Sequence, residues 1–216
     1  PEGCQALNVP AVHFLCGLCK ELDARLIHLS TDFIFDGLNG PYKETDMPAP
    51  LSAYGRAKLE AEQIIDRSGT RAAIARTILL YGVTPNMSRS NIVLWVRKSL
   101  QEEKAIRVVT DQYRTPTLAE DLAGAVVSIL LQEATGIYHI SGAELMSIYE
   151  LAQRVGQYWG LNTDLISPIS SSELNQAAPR PPKTGFIILK AQTELGYNPH
   201  RLEAGLALVD RQLKEL

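Results

Sequence analysis

The sequence predicts an α/β protein built around a parallel sheet. Residues 71–80 are mostly apolar, which is typical of a strand that is buried on both faces and therefore central in a parallel sheet. A second apolar strand, 25–29, lies between two segments with helical periodicity. Polar residues Ser30, Thr31 and Asp32 directly follow it. Because α/β sheets bind ligands beyond the carboxyl ends of their strands, we expect the functional site there.

The remaining elements follow from hydrophobic periodicity and from helix-terminal patterns. Further strands are predicted at 105–109 and 136–140, and helices at 9–22, 53–68, 90–100, 189–195 and 201–216. Capping boxes with Thr117 and Ser147 as N-caps predict the starts of two more helices. Trp95 falls on the apolar side of the 90–100 helix, so we expect it in the core.

Composition excludes several classes of function. The 216 residues carry a net charge of −3, and 45% are apolar. This balance has no basic footprint for nucleic acid. No apolar run approaches the roughly 20 residues that span a bilayer, and no signal-peptide pattern opens the chain. We therefore expect a cytoplasmic protein with neither a nucleic-acid nor a membrane partner.

The three cysteines do not indicate a disulfide framework or a metal site. Cys4, Cys16 and Cys19 are an odd number and all lie near the N-terminus. Cys16 and Cys19 have C-x-x-C spacing, but no second pair of ligands accompanies them. Together with Val12, Leu15 and Leu22 they fall at helical spacing, which predicts one buried stripe.

The helix predicted from Ala53 carries a pair of residues suited to proton transfer. Tyr54 and Lys58 are four positions apart, so their side chains lie on one face. A neighbouring ammonium favours the phenolate and lowers the pKa of a tyrosine. Such a phenol can donate and accept a proton near neutral pH. The hydroxyls at the end of the 25–29 strand lie some two dozen residues upstream, where a group that polarises a carbonyl would be needed.

Several segments carry a family resemblance. They are STDFIFDG, PYKETDMPAPLSAYGRAKLEAE, RTILLYG, RTPT, YHISG and APRP, which begin at residues 30, 41, 76, 114, 138 and 178. In this order they resemble the extended short-chain dehydrogenase/reductases. More narrowly they resemble the dTDP-4-dehydrorhamnose reductase group, which includes the regulatory β subunit of methionine adenosyltransferase. The likeness covers nearly the whole chain.

The resemblance implies a Rossmann-like, doubly wound parallel sheet with a small α/β substrate-binding lobe on the C-terminal side. The family opens with a glycine-rich strand–turn–helix that receives the cofactor pyrophosphate, and this sequence has no such motif. We therefore expect that the N-terminal strands are missing from this chain because it is the C-terminal part of a longer protein. The alternative is a protein that has lost the phosphate-binding turn. Residues 1–140 would be the remainder of the dinucleotide-binding domain, with lobe elements around 83–116. Residues 141–216 would be mainly the lobe and the C-terminal helix.

The resemblance also implies the roles of individual residues. Thr31, Tyr54 and Lys58 match the catalytic positions, and Ser30 and Ile78 join Tyr54 and Lys58 in binding NADP or NAD. Thr31, Asp32 and Arg180 match substrate-binding positions, with Arg180 near a diphosphate, which suits the geometry of a guanidinium. Arg114 has two equal interpretations, contact with an anionic substrate or an ion pair on the surface. No metal ligand is expected.

The reaction implied is reduction of the C4 ketone of a dTDP-linked 4-dehydro-6-deoxy sugar by NADPH or NADH. Two alternatives stay open: a non-catalytic regulatory subunit that binds a nicotinamide cofactor, and a nucleotide-sugar epimerase or dehydratase. Residues 30–32 keep the reductase form, whereas dehydratases commonly place an acidic pair after the threonine and this chain has Phe33 after Asp32. The helices at 9–22 and 54–65 correspond to those that many relatives use for pairing, so a homodimer is a further expectation.

Overall fold

The computed structural model describes residues 5, 7–85, 90–174 and 178–215. Its centre is a parallel sheet of β1 (Leu26–Thr31), β2 (Ala72–Thr77) and β7 (Gly136–His139), in the order β1-β2-β7. Strand β2 lies between the other two and is buried over most of its length. The predicted central position of this strand is confirmed. Cys4 and Leu216 lie outside the described residues.

The other elements follow the predicted order with shifts of one or two residues at most boundaries. The helices are α1 (Pro10–Glu21), α2 (Ala53–Ser68), α3 (Ile92–Gln101), α4 (Ala119–Leu131), α5 (Ile148–Tyr158), α6 (Leu189–Leu195) and α7 (Leu202–Glu215). The remaining strands are β3 (Leu80–Tyr81), β4 (Ile106–Val109), β5 (Tyr113–Arg114), β6 (Thr117–Leu118), β8 (Met146–Ser147) and β9 (Ile166–Ile169). Among the described residues, no helix combines the length and apolarity needed to cross a membrane.

Helices cover both faces of the sheet, as expected for a doubly wound α/β fold. On one face Ile74 of β2 packs with Cys16 of α1 and Ile65 of α2. On the other face Ala75 of β2 packs with Ile129 of α4. Because successive residues of a strand point to opposite faces, one strand supplies both cores. The predicted Rossmann-like α/β class is confirmed.

The prediction of one strand over 71–80 is wrong at its end. Strand β2 stops at Thr77, and Leu79 has a φ of 40°, in the left-handed region that side chains rarely adopt. The backbone turns there, so that Leu80–Tyr81 pairs with Thr117–Leu118 in a separate two-stranded sheet. The chain thereby passes from the main sheet toward the second core.

That second core holds the smaller lobe together. Strand β4 pairs with β9 in parallel, and α3 and α5 pack beside them. The fully buried side chains at its centre are Val93, Val96, Leu151, Ala152, Val155, Leu206 and Val209. These residues come from positions far apart in the chain, so this lobe is formed by long-range packing.

Two local predictions on helices are corrected. Thr117 does not cap α4, because Leu118 is the N-cap residue and the Thr117 hydroxyl instead donates to the Ile78 carbonyl at 2.6 Å. Ser147 does cap α5, since its side chain accepts from the Glu150 amide. The buried stripe on α1 is narrower than predicted, with Leu15 and Leu22 exposed, because α1 contacts α2 and the sheet along one side only.

An ion pair buried between α2 and β2 fixes the helix to the sheet. The Arg76 guanidinium donates from Nη2 to Glu62 Oε2 at 2.7 Å and from Nε to the same carboxylate. Both side chains are almost fully buried. On its other side Arg76 Nη1 lies 3.3 Å from His139 Nε2. The pair therefore joins a helix, the central strand and an outer strand.

His139 is held as a neutral imidazole. Its Nδ1 lies 3.1 Å from the Tyr42 carbonyl oxygen, so this nitrogen carries the proton and donates it. Its other nitrogen faces the Arg76 guanidinium. Burial first, and the Arg76 charge second, lower the pKa of His139 to about 3. His139 therefore has a structural role, joining β7 to the Tyr42 backbone and to Arg76.

Removing one partner of the buried ion pair should destabilise the protein strongly. Glu62→Ala leaves the Arg76 guanidinium buried without its counter-charge, so we expect a loss of about 3–5 kcal/mol in the free energy of unfolding. Urea unfolding measures this free energy. Asp66→Ala, one turn further along α2 and exposed, is the matched control and should stay within about 0.5 kcal/mol. An equal effect of the two variants would contradict the role of the pair.

Stability should fall as the pH is lowered, partly because of His139. The unfolded chain takes up this proton below its ordinary pKa of 6.5, whereas the folded protein resists it until about pH 3. The unfolded state therefore binds more protons between these values, and stability rises with pH there. His139→Gln should flatten the dependence of the urea midpoint on pH between 7 and 4. His13→Gln, at an exposed position, should leave the slope unchanged.

Candidate active site

The carboxyl end of β1 forms a tightly bonded turn. Strand β1 ends at Thr31, and the chain enters a 3-10 turn over Asp32–Ile34. The Thr31 hydroxyl accepts from the Phe33 amide at 3.3 Å and donates to Asp32 Oδ1 at 3.2 Å. Thr31 is therefore held at the strand tip by its own neighbours, as an N-cap residue.

Ser30 and Thr31 lie on opposite faces of β1 because side chains alternate along a strand. Ser30 pairs in register with Arg76, whose side chain reaches Glu62 of α2, so Ser30 lies on the α2 face. Its hydroxyl is buried, and no residue in the described part of the chain bonds to it. A buried hydroxyl without a partner is costly. The site thus presents a hydrogen-bonding group that a ligand can satisfy.

Helix α2 places Tyr54 and Lys58 beside this strand end. Lys58 is buried, its Nζ donates to the Leu29 carbonyl at 2.6 Å, and the same nitrogen lies 3.2 Å from His28 Nε2. Tyr54 is 44% exposed, and its ring meets Phe33 edge-on with centroids 6.1 Å apart. The structure therefore brings both residues of this i, i+4 pair to the tip of β1.

A glycine allows the helix to approach so closely. The Ser52 side chain caps α2 by accepting from the Gly55 amide at 3.0 Å. A Cβ added at Gly55 would lie 2.2 Å from the Phe33 carbonyl oxygen, which is closer than any side chain tolerates. Sequence reasoning missed Gly55. A glycine inside the first turn of a helix is the pattern that indicates such close packing.

His28 keeps the surroundings of Lys58 favourable to a cation. Burial first, and the Lys58 charge second, lower the pKa of His28 to about 4. The imidazole is therefore neutral at neutral pH. A neutral ring with its proton on Nδ1 presents the Nε2 lone pair to the ammonium of Lys58.

Asp32 and Arg114 are both buried and lie close together. Asp32 Oδ2 accepts from the Thr184 hydroxyl at 2.5 Å and lies 3.6 Å from Arg114 Nε. Burial raises the pKa of Asp32, against the opposing effects of Arg114 and the hydrogen bonds. Arg114 donates from Nη2 to the Pro181 carbonyl at 2.8 Å. The expectation of a surface ion pair for Arg114 is wrong, because its guanidinium lies inside the protein.

A cavity of about 270 Å³ opens beside the strand tip, between the two cores. Its lining includes Asp32, Phe33, Trp95, Arg107, Arg114 and Arg180. Arg107 is paired with Glu173 and Arg114 with Asp32, so Arg180 adds a further positive charge that suits the cavity to an anion. The expectation that Trp95 belongs to the core is wrong, since this residue is 39% exposed and forms part of this wall.

The remaining predicted residues are placed as follows. Thr31, Tyr54 and Lys58 do not line the 270 Å³ cavity, although Asp32 and Phe33, which follow Thr31, do. Ile78 is buried and its carbonyl accepts from Thr117. Arg180 is exposed at the cavity mouth. In the described part of the chain, no group of three His, Cys, Asp or Glu residues could hold a metal ion.

Curated proteins with similar sequences match most of this chain. The chain is 33% identical to methionine adenosyltransferase 2 subunit beta of Xenopus tropicalis over 186 residues, which are 84% of this chain and 55% of that protein. It is 29% identical over 212 residues to the probable low-salt glycan biosynthesis reductase Agl14 of Haloferax volcanii, covering 97% of this chain and 71% of that protein. The chain thus spans about half the length of the first of these relatives.

A solved structure shares the fold closely. The dTDP-4-dehydrorhamnose reductase of Bacillus anthracis, solved in complex with NADP, superposes with a TM-score of 0.87 at 28% identity. The match covers 95% of this chain and 72% of that one. A family model, described as the RmlD substrate binding domain, matches residues 1–214. The chain therefore belongs to the RmlD substrate binding domain family.

Proposed function

We propose that the intact protein is an NAD(P)H-dependent oxidoreductase of the short-chain dehydrogenase/reductase type. Its proposed substrate is a dTDP-linked 4-dehydro-6-deoxy sugar, whose C4 ketone it reduces. The observation that carries the proposal is the seating of Tyr54 and Lys58 against the tip of β1, where Lys58 Nζ bonds to the Leu29 carbonyl. The named reductases among the similar proteins support the same chemistry.

The residues at the strand tip suit the binding of a nicotinamide dinucleotide. The buried Ser30 hydroxyl lies on the α2 face and can form a hydrogen bond with a ligand. Lys58 would bind ribose hydroxyls, Tyr54 lies four residues before it, and the backbone at Ile78 would meet the carboxamide. When bound, this cofactor supplies the hydride that reduces the ketone.

The proton comes from the protein. Tyr54 donates its phenolic proton to the ketone oxygen as negative charge develops there. The ammonium of Lys58 favours the phenolate that remains. Thr31 donates a hydrogen bond to the same oxygen, exchanging its bond to Asp32 for one that strengthens in the transition state. One ketone, one hydride and one proton give the alcohol.

The anionic part of the substrate would bind in the 270 Å³ cavity. Arg107, Arg114 and Arg180 line it, and Arg180 is exposed there. A guanidinium binds two phosphate oxygens at once, which suits a nucleoside diphosphate. Trp95 and Phe33 add aromatic surface to the same wall.

A regulatory subunit is the second candidate. The 33% identity to the methionine adenosyltransferase β subunit favours this role. The serine, threonine and aspartate at the end of β1 favour the enzyme. Purification of the intact protein with a stoichiometric synthetase and without reductase activity would decide for the regulatory role. A homodimer formed through α1 and α2 is part of the proposal in either case.

Replacement of Tyr54 by Phe should nearly abolish turnover. The variant keeps the ring but has no proton to donate, so kcat should fall about 100-fold to 10,000-fold. Steady-state reduction of a dTDP-4-dehydro-6-deoxy sugar measures it, and NADPH binding, followed by cofactor fluorescence, should change little. Tyr113→Phe, at an exposed tyrosine of β5, is the control. Full turnover in Tyr54→Phe would remove Tyr54 as the acid.

Replacement of Arg180 by Ala should weaken substrate binding more than chemistry. Loss of a charge-assisted hydrogen bond costs about 1.5–3 kcal/mol, so KM for the sugar nucleotide should rise roughly 10-fold to 100-fold. Because the diphosphate is remote from the ketone, kcat should fall much less. Arg211→Ala, exposed on α7, should behave as wild type. An unchanged KM in Arg180→Ala would show that the arginine does not bind the diphosphate.

A further inference from the structure

The carboxylate of Asp32 is fully used within the protein. It lies one residue from Thr31, but its side chain is buried. Oδ1 accepts from Thr31, and Oδ2 accepts from Thr184 and faces Arg114 Nε at 3.6 Å. Both oxygens are thus engaged before any ligand arrives. Asp32 is therefore better placed to join parts of the protein than to bind a sugar.

Arg114 extends this contact to the segment that carries Arg180. Its Nη2 donates to the Pro181 carbonyl at 2.8 Å, and its Nη1 donates to the Pro182 carbonyl at 3.3 Å. The Tyr113 amide also donates to Pro182, at 2.7 Å. Residues 181–184 are therefore fastened to β5 by hydrogen bonds.

The same segment is packed against the loop that follows the strand tip. The Lys183 amide donates to the Gly37 carbonyl at 3.2 Å. A Cβ on Gly37 would lie 2.7 Å from Pro181 Cβ, and Gly37 has a φ of 82° that favours glycine. Arg180 directly precedes this fastened segment, so its backbone position depends on these contacts.

The charges of Asp32, Arg114 and Arg180 favour this arrangement of the strand tip and the 181–184 segment. Burial and the charge of Arg180 lower the pKa of Arg114, while Asp32 opposes them. Arg114 and Arg180 both line the cavity, and Asp32 offsets the charge of Arg114 from 3.6 Å. A buried charge without its partner is strongly unfavourable. We therefore expect Asp32 and Arg114 to stay in contact.

We propose that Asp32 is a positioning residue which, with Arg114 and Thr184, forms a clamp between the tip of β1 and the Arg180 segment. The clamp sets the distance between the Thr31 hydroxyl, which meets the ketone, and the guanidinium that holds the diphosphate. This inference rests on the proposed function and deepens it. It departs from the expectation that Asp32 itself binds the substrate.

Thr184 provides the decisive test because its side chain has no exposed surface and cannot touch a substrate. The variants Asp32→Asn, Thr184→Val and the double variant are compared in the intact protein, with Thr184→Ser as the conservative variant. The two measurements are kcat and KM for the sugar nucleotide, and the Kd of thymidine diphosphate by calorimetry. Urea midpoints report whether each variant is folded.

The clamp predicts a shared phenotype. Each single variant should lose about 10-fold or more in kcat/KM and bind thymidine diphosphate about 10-fold more weakly, because Arg180 is no longer held in place. The double variant should be about as impaired as the worse single one, since both remove the same contact. Thr184→Ser keeps the hydroxyl and should recover most of the affinity.

Three results would overturn the clamp. One is an impaired Asp32→Asn beside a Thr184→Val of wild-type behaviour, which would make Asp32 a direct substrate contact. The second is full additivity of the two substitutions, and the third is a Thr184→Ser as impaired as Thr184→Val. Should Thr184→Val fail to fold, Thr184→Ala replaces it, because it removes the same hydroxyl without adding a methyl group in its place. If the protein reduces no sugar, nucleotide binding still tests the clamp, so the two failures are distinguishable.

Discussion

The close contact between helix α2 and strand β1 is the constraint on which the rest of the site depends. Gly55 lets the first turn of the helix lie against the Phe33 carbonyl, and Lys58 bonds to the Leu29 carbonyl one turn later. Further along, Glu62 anchors the helix to Arg76 of β2. These contacts lie along one face of the helix, so the helix cannot shift along the sheet without losing all of them. The orientation of Tyr54 is a consequence of this fixed helix.

The buried ion pairs Arg76–Glu62 and Asp32–Arg114 connect separate parts of the fold. Arg76 with Glu62 joins α2 to the central strand, while Asp32 with Arg114 joins the strand tip to the C-terminal lobe. Replacing such pairs by apolar residues often leaves stability unchanged. Their physical effect is therefore to determine which surfaces meet, because an unpaired partner would be strongly unfavourable. In both cases the surfaces that meet carry residues of the proposed site.

The two candidate functions, enzyme and regulatory subunit, make different demands on the site at the end of β1. The α2 helix and the end of β1 can hold a nicotinamide dinucleotide whether or not a ketone is reduced. Reduction also requires a proton donor and a hydroxyl near the ketone, as well as a site that orients the substrate. This chain has Tyr54 and Thr31 and a cavity lined by three arginines. The complete set favours the enzyme.

The sequence by itself determined the order of helices and strands and the central position of β2. It also determined that Tyr54 and Lys58 share one face of a helix. These features follow from local periodicity and from i, i+4 spacing, which need no knowledge of distant residues. Only the tertiary structure decided that Arg114 is buried, that Trp95 lines a cavity and that Thr117 bonds to Ile78 instead of capping a helix. The partners of these three side chains come from segments tens of residues away, and periodicity carries no information about which segments pack together.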